Sequence, residues 1–223
     1  MIETSNYMWL LDPGHGGINP IGWKYETPGA KQYTFEDGFW IPEGFVNRQV
    51  AYMLHSMMKA KGYDSTMVPH QVFDTPLNHR INTVNAISSG INKPCILISI
   101  HSNAANTDIE GPSVAARGFE IYTSPGDTPS DPIAEVFAHF YKNEFLENEN
   151  QVFKFRADES DGDADKEARF AMLTKTKCPA ILVENLFYQN HEQAMMLMSY
   201  DFQMRIAYCL YNAILYVEQN NVI

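Results

Sequence analysis

The sequence predicts an α/β fold: a single three-layer domain with a mostly parallel central sheet of about six strands and helices on both faces. Three observations lead there. Continuous apolar runs such as "CILISIH" (95–101) and "AILVE" (180–184) have the length and unbroken hydrophobicity of strands buried on both sides. Segments with helical apolar spacing alternate with them, the rhythm of βαβ units. No repeat, low-complexity linker or composition break divides the 223 residues, of which 45% are hydrophobic, so a single unit over 1–223 is expected.

The elements follow in chain order. "YMWLLD" (7–12) is the first strand. Residues 45–61 place Phe45, Val46, Val50, Met53, Leu54, Met57 and Met58 on one stripe, an amphipathic helix that Gly62 closes. "YDSTMV" (63–68) reads as the second strand, and Thr75-Pro76 as the cap and first residue of a helix running to Ser89. "CILISIH" is a buried parallel strand and "GFEIYT" (118–123) another strand. Ser130/Asp131 before Pro132 starts a helix that turns Ile133, Val136, Phe137, Phe140 and Tyr141 inward. "AILVE" is the last buried strand, and Asn190 caps a helical region through about Glu218.

Composition narrows the function classes. A net charge of −11 leaves no basic footprint for nucleic acid and no electrostatic pull toward anionic membranes. Cys95, Cys178 and Cys209 are dispersed without a CxxC pair, which argues against a disulfide framework or a thiolate zinc site. The N-terminal "MIETSNYMWLLD" is neither a secretory signal nor a membrane anchor, and no apolar run approaches spanning length.

Two loops stand apart. Residues 18–42 hold Trp23, Tyr25, Tyr33, Phe35 and Trp40; these aromatics either pin the loop to the body or present a wall for ring stacking. Residues 157–167, "ADESDGDADKE", are densely acidic but lack the closing Glu of an EF-hand loop, and read as a solvated segment.

Chemistry is signalled by what ends the strands. "LLDPGHGG" (10–17) sets His15 just after the first strand, His101 closes "LISIH", and Glu184 closes "ILVE". In a parallel sheet such ends share one edge, where α/β folds collect ligands. A Glu terminating a buried apolar run needs a partner, and a metal or metal-activated water would be one. A hydrolytic zinc site takes three His or carboxylate ligands and leaves a position for water, so an acidic third ligand is required. Glu43, opening the first helix, fits; its other reading is a Glu favoured by the helix dipole. His55, His70, His79, His139 and His191 read as structural or surface residues, although His79 or His191 could reach the cleft as a substrate contact.

The pieces "LLDPGHGG", "EGFVNRQVAYMLHSMMKAKGY", "PLNHRINTVN", "ILISIHSNA", "GFEIYT" and "AILVENLFYQN", in that order, resemble the zinc-dependent N-acetylmuramoyl-L-alanine amidases, the bacterial cell-separation amidases and phage endolysins. The resemblance runs from residue 8 to about 217. It implies one zinc ion held by His15, Glu43 and His101, with Glu184 as catalytic carboxylate. Asn47, Arg80, Asn85, Ser102 and Asn103 also match family positions and read as residues that hold the ligands or pack around them. Asn103, Arg80, Trp23 and Trp40 are expected among the substrate contacts. The implied substrate is peptidoglycan or its muropeptides, cut between N-acetylmuramic acid and L-alanine, with no obligate protein partner. Without a visible signal, synthesis in the cytoplasm and action at the wall, as in phage or prophage lysis, is the expectation. Two departures bear on substrate fit: Leu186 stands where the family usually has Gly, and the loop between His15 and Glu43 is long. The alternatives are a zinc peptidase on another wall bond and a wall-binding or virion structural protein with little catalysis.

Overall fold

A computed structural model describes residues 5–29, 31–69, 73–105, 116–146, 153–160 and 162–223; His70 lies outside them. The chain enters through β1 (Met8–Pro13) and then makes two small hairpins where the sequence predicts only a loop. These are β2 (Ile18–Asn19) with β3 (Lys24–Tyr25), and β4 (Gln32–Thr34) with β5 (Trp40–Pro42). Helix α1 (Glu43–Ala60) leads to β6 (Ser65–Met67), α2 (Leu77–Gly90) to β7 (Cys95–Asn103), and β8 (Phe119–Thr123) to α3 (Asp131–Phe145). The last elements are β9 (Lys166–Glu167), α4 (Ala171–Thr174), β10 (Ala180–Phe187), α5 (His191–Met198) and α6 (Tyr200–Asn220).

One six-stranded sheet, in the order β6-β1-β7-β10-β8-β9, organises these elements. Strands β6, β1, β7 and β10 are mutually parallel, β8 runs antiparallel to β10, and β9 lies parallel to β8. The expected mostly parallel sheet therefore carries an antiparallel edge.

Alternation along the central strands divides the core into two layers. Trp9, Leu11, Ile98, Ile100, Ile181 and Val183 face α1, α3, α5 and α6, whereas Leu10, Leu97 and Leu182 face α2 and α4. Val46, Val50, Leu54 and Met58 of α1 recur every fourth residue and are all at most 1% exposed. Burying each such side chain contributes about 1.5–3 kcal/mol. Trp9 is fully buried and its indole donates to Glu218 Oε1 at 2.8 Å. That carboxylate also accepts from Ser5 Oγ at 2.7 Å and from the Asn6 amide at 2.6 Å, which makes its burial near the end of α6 tolerable.

Several helix ends differ from expectation. Helix α1 starts at Glu43 rather than Phe45, because the chain turns directly out of β5. Gly62 takes φ 85° and closes the helix as read. The Thr75 hydroxyl makes no hydrogen bond and Pro76 occupies the cap position of α2. Ser130 does not cap α3; its Oγ accepts from the Ala180 amide at 3.0 Å and ties the helix start to β10. Asn190 caps α5 through the Gln193 amide at 3.2 Å, and the C-terminal helical region breaks at Ser199.

Candidate functional site

The carboxyl ends of β1, β7 and β10 meet the start of α1 in one cleft. Pro13 pairs with Ile100, so Gly14 lies alongside His101. A Cβ on Gly14 would approach the His101 ring to 2.1 Å, so the ring lies over this turn only because the residue is glycine. His15 follows with φ 63°, a left-handed conformation costing about 1–2 kcal/mol for a residue with a Cβ. Two buried guanidinium groups hold it there. The His15 carbonyl accepts from Arg48 Nη1 at 2.6 Å and from Arg80 Nη2 at 2.8 Å.

His15 Nε2 and His101 Nδ1 lie 3.3 and 3.1 Å from the same atom, Oε1 of Glu43, and the two rings stand perpendicular with centroids 5.0 Å apart. Donors about 2.0–2.1 Å from one tetrahedral ion sit about 3.3 Å from each other, so this spacing suits a zinc-sized centre. One donor atom from each of the three residues lies within 4.8 Å of the other two. Glu43 is 2% exposed; its Oε1 also accepts from Asn47 Nδ2 at 3.3 Å and the Ser102 amide at 3.4 Å. Ser102 Oγ in turn donates to Asn47 Oδ1 at 3.1 Å, and Asn47 Nδ2 reaches the Gly14 carbonyl at 3.3 Å. Burial opposes the Glu43 charge, yet the bonds from His101 and His15 hold its carboxyl below the usual range. Two imidazoles and one anionic oxygen form a donor set suited to zinc.

Glu184 stands beside His101 in the β7–β10 register, and Glu120 stands on its other side in the β10–β8 register. The three share one face of the sheet, on the side of α2 and α4. Glu184 Oε2 is buried without a hydrogen-bond partner. Burial pushes this carboxyl above the ordinary range; His101 and Lys31 oppose the shift, while Glu43 and Glu120 add to it. A carboxyl so perturbed, next to a metal-type donor set, has the profile of a proton carrier. Past Glu184 the pairing slips by a bulge, and Leu186 takes φ 58° with its side chain fully buried.

Glu120 was not singled out from sequence. It is 3% exposed and accepts from Asn103 Nδ2 at 2.6 Å, Tyr122 Oη at 2.7 Å, Arg156 Nε at 2.5 Å and Lys166 Nζ at 2.8 Å. Its burial is outweighed by Lys166, Tyr122 and Arg156, which hold the carboxyl below its usual range. The cue that selects Glu184, an acid inside an apolar run, applies equally to "GFEIYT". Arg48, the other residue passed over, sits one helical turn from Gly44 and bonds its carbonyl at 3.2 Å.

The cleft has a volume of ≈ 380 Å³ and is lined by His15, Lys31, Glu43, His101, Asn103 and Glu184, with Leu77, Phe170 and Met172 as an apolar wall. Asn103, expected among the substrate contacts, lies in it. Arg80, also expected there, is 4% exposed; its guanidinium donates to the Thr75, Pro13 and His15 carbonyls and to Asp12 and Asp74, which braces the His15 turn, and it lines an adjoining pocket with His15 and His101. Trp23 and Trp40 are not among the residues lining the cleft. Trp23 is 80% exposed at the β2–β3 hairpin; Trp40 donates to Gln32 Oε1 at 2.9 Å and packs edge-on against Tyr25. Tyr25 Oη accepts from the Gly44 amide at 2.9 Å, so this part of the aromatic loop is pinned to the start of α1. Asn85 bridges Lys175 and Lys177 away from the cleft, and His191 pairs with Asp37 at 2.9 Å beside Phe35. Among the described residues no helix is long and apolar enough to cross a membrane.

Comparison with known proteins fits this geometry. The family described as N-acetylmuramoyl-L-alanine amidase matches residues 10–216. No curated protein sequence matches the chain significantly. Among solved structures, the amidase AmiC2 of Nostoc punctiforme superposes with a TM-score of 0.70 at 22% identity, covering 98% of this chain and 100% of that one. An N-acetylmuramoyl-L-alanine amidase from Clostridium difficile 630 gives 0.71 at 19% identity, covering 97% and 98%. The CwlD amidase of Clostridioides difficile, in a structure with the GerS lipoprotein, gives 0.66 at 20% identity, covering 94% and 97%.

Proposed function

The chain belongs to the N-acetylmuramoyl-L-alanine amidase family, enzymes that cleave peptidoglycan between N-acetylmuramic acid and L-alanine, and from that premise we propose that His15, Glu43 and His101 hold a zinc ion while Glu184 carries the proton. The reading is carried by one arrangement. A single Glu43 oxygen lies 3.1 and 3.3 Å from two imidazoles, and Glu184, whose Oε2 is buried without a hydrogen-bond partner, lines the same cleft.

Zinc bound there supplies Lewis acidity that polarises the scissile carbonyl and makes a water a competent nucleophile at neutral pH. The remaining work falls to this chain's own groups. Glu184 takes a proton from the attacking water on an Oε oxygen and delivers it to the departing L-alanine nitrogen, a transfer that needs hydrogen-bond reach of both. Its burial beside two other carboxylates favours holding that proton between the steps. Asn47 and Ser102 fix Glu43, and Arg48 and Arg80 fix the His15 turn, so the donors are set before substrate arrives. Asn103, oriented by Glu120, faces the stem peptide from the cleft floor. Trp23, exposed at its hairpin, meets the glycan beyond the cleft, and Trp40 braces that hairpin through Tyr25. The whole chain acts as one catalytic unit.

Glu184→Ala tests the assignment. Zinc content by elemental analysis is expected to stay at one per chain while release of stem peptides from purified wall falls by about 10²–10⁴-fold. In the wild type, mass spectrometry of the products is expected to show stem peptides with free L-alanine amines. Wild-type turnover in the variant, or products cut inside the stem, would refute the reading.

A further inference from the structure

A second group of converging acids lies on the opposite face of the sheet edge from Glu120. Asp165 immediately precedes β9 and is 2% exposed. Its Oδ2 accepts from Thr123 Oγ1 at 2.6 Å, at the end of β8, but its Oδ1 is buried with no hydrogen-bond partner. One oxygen each from Asp165, Asp163 and Glu135 of α3 lies within 4.8 Å of the others. Asp163 and Asp165 line a cavity of ≈ 490 Å³, to which Asp131 and Glu167 also contribute carboxylates. Alternation in β9 sends Lys166 to the other face, where its Nζ sits 2.8 Å from Glu120, so the cavity does not receive that cation.

We propose that Glu135, Asp163 and Asp165 form a calcium site, separate from the His15–Glu43–His101 centre. A buried carboxylate oxygen without a donor, facing other carboxylates, is costly to hold unless a cation completes it. The donors are all hard oxygens with no imidazole or thiolate among them, which selects calcium over zinc. Their spacing suits oxygens about 2.3–2.6 Å from one ion, and the cavity leaves room for the water ligands that a coordination of about 6–8 requires. Burial pushes the Asp165 carboxyl up to about 7; the Thr123 bond opposes this, while the charges of Asp163, Asp131 and Glu135 add to it. The acidic segment has no closing Glu of its own in EF-hand position. Glu135 supplies that carboxylate from α3, and its Oε1 already accepts from the Ala164 amide at 2.5 Å. An ion here would fasten β9 onto β8 and with it the Lys166–Glu120 contact beside Glu184.

The test is thermal unfolding of the zinc-loaded full chain in CaCl2 raised to about 10 mM, with MgCl2 in parallel. The melting temperature is expected to rise saturably by about 3–8 °C with calcium and much less with magnesium. Asp165→Asn and Glu135→Gln should each abolish the calcium response, and Asp165→Asn without calcium should melt no lower than the wild type. His15→Ala should keep the response, since the first metal centre is not involved. No rise with calcium, an equal rise with magnesium, or a response retained by either Asp165→Asn or Glu135→Gln overturns the proposal.

Discussion

Replacing Leu186 by Gly sets two structural effects against each other. Leu186 sits at φ 58° in the bulge that follows Glu184, and its side chain is fully buried in the larger core layer. Relief of the left-handed backbone is worth about 1–2 kcal/mol. Truncating a buried Leu to Ala costs about 2–5 kcal/mol. The further step to Gly adds about 0.5–1 kcal/mol through the freer unfolded chain. Burial wins, so Leu186→Gly is expected to lose about 0.5–5 kcal/mol of stability. Leu186→Ala keeps the backbone strain and loses the same packing, so it should be no more stable than Leu186→Gly. Urea unfolding of the three zinc-loaded proteins, followed by circular dichroism, measures both differences. A Leu186→Gly protein as stable as the wild type would show that the packing of the side chain is worth no more than the backbone strain it carries. An Ala variant clearly more stable than the Gly variant would show that the backbone is not strained there.

Two further outcomes follow from the buried charges. Arg80→Met takes one donor each from the Thr75, Pro13 and His15 carbonyls and from Asp12, leaving His15 with Arg48 alone and Asp12 with Ser99; it should cost about 3–5 kcal/mol and weaken metal retention, measured by melting temperature and metal content after dialysis. An unchanged melting temperature would mean the His15 turn stands without it. Glu120 has a folded-state pKa held below its unfolded value; its contribution is present above about pH 4.3 and disappears as pH falls through the folded value. The melting-temperature gap between wild type and Glu120→Gln should therefore narrow between about pH 6 and pH 3, and a constant gap contradicts the assignment.

The parallel strands and their ends were legible because unbroken apolar runs and the acids or imidazoles closing them are local features. His15, His101 and Glu184 were picked out for that reason and Glu43 as a nearby acid, and the four line one cleft. The direction of β8 was not legible: "GFEIYT" reads the same either way, and only pairing Glu120 with Glu184 shows it antiparallel. Glu120 carries the same cue as Glu184, but its weight comes from Asn103, Arg156 and Lys166, which reach it from other strands and loops. The bonds from Arg80 to the Thr75, Pro13 and His15 carbonyls were not legible, because sequence position near the site does not reveal which way a guanidinium points. The hairpins of the aromatic loop were missed since strands of two or three residues leave almost no periodicity.

The bond between the Trp9 indole and Glu218 has a bearing on how the molecule assembles during synthesis. β1 lies inside the sheet, with β6 and β7 on its two sides, yet the acceptor for its indole is translated after every strand of that sheet. A nascent chain can pair those strands early, but the Trp9 indole meets Glu218 only once α6 has left the ribosome. Completion of the interior is thus a late event, and the emerging polypeptide stays open to proteases and chaperones until then.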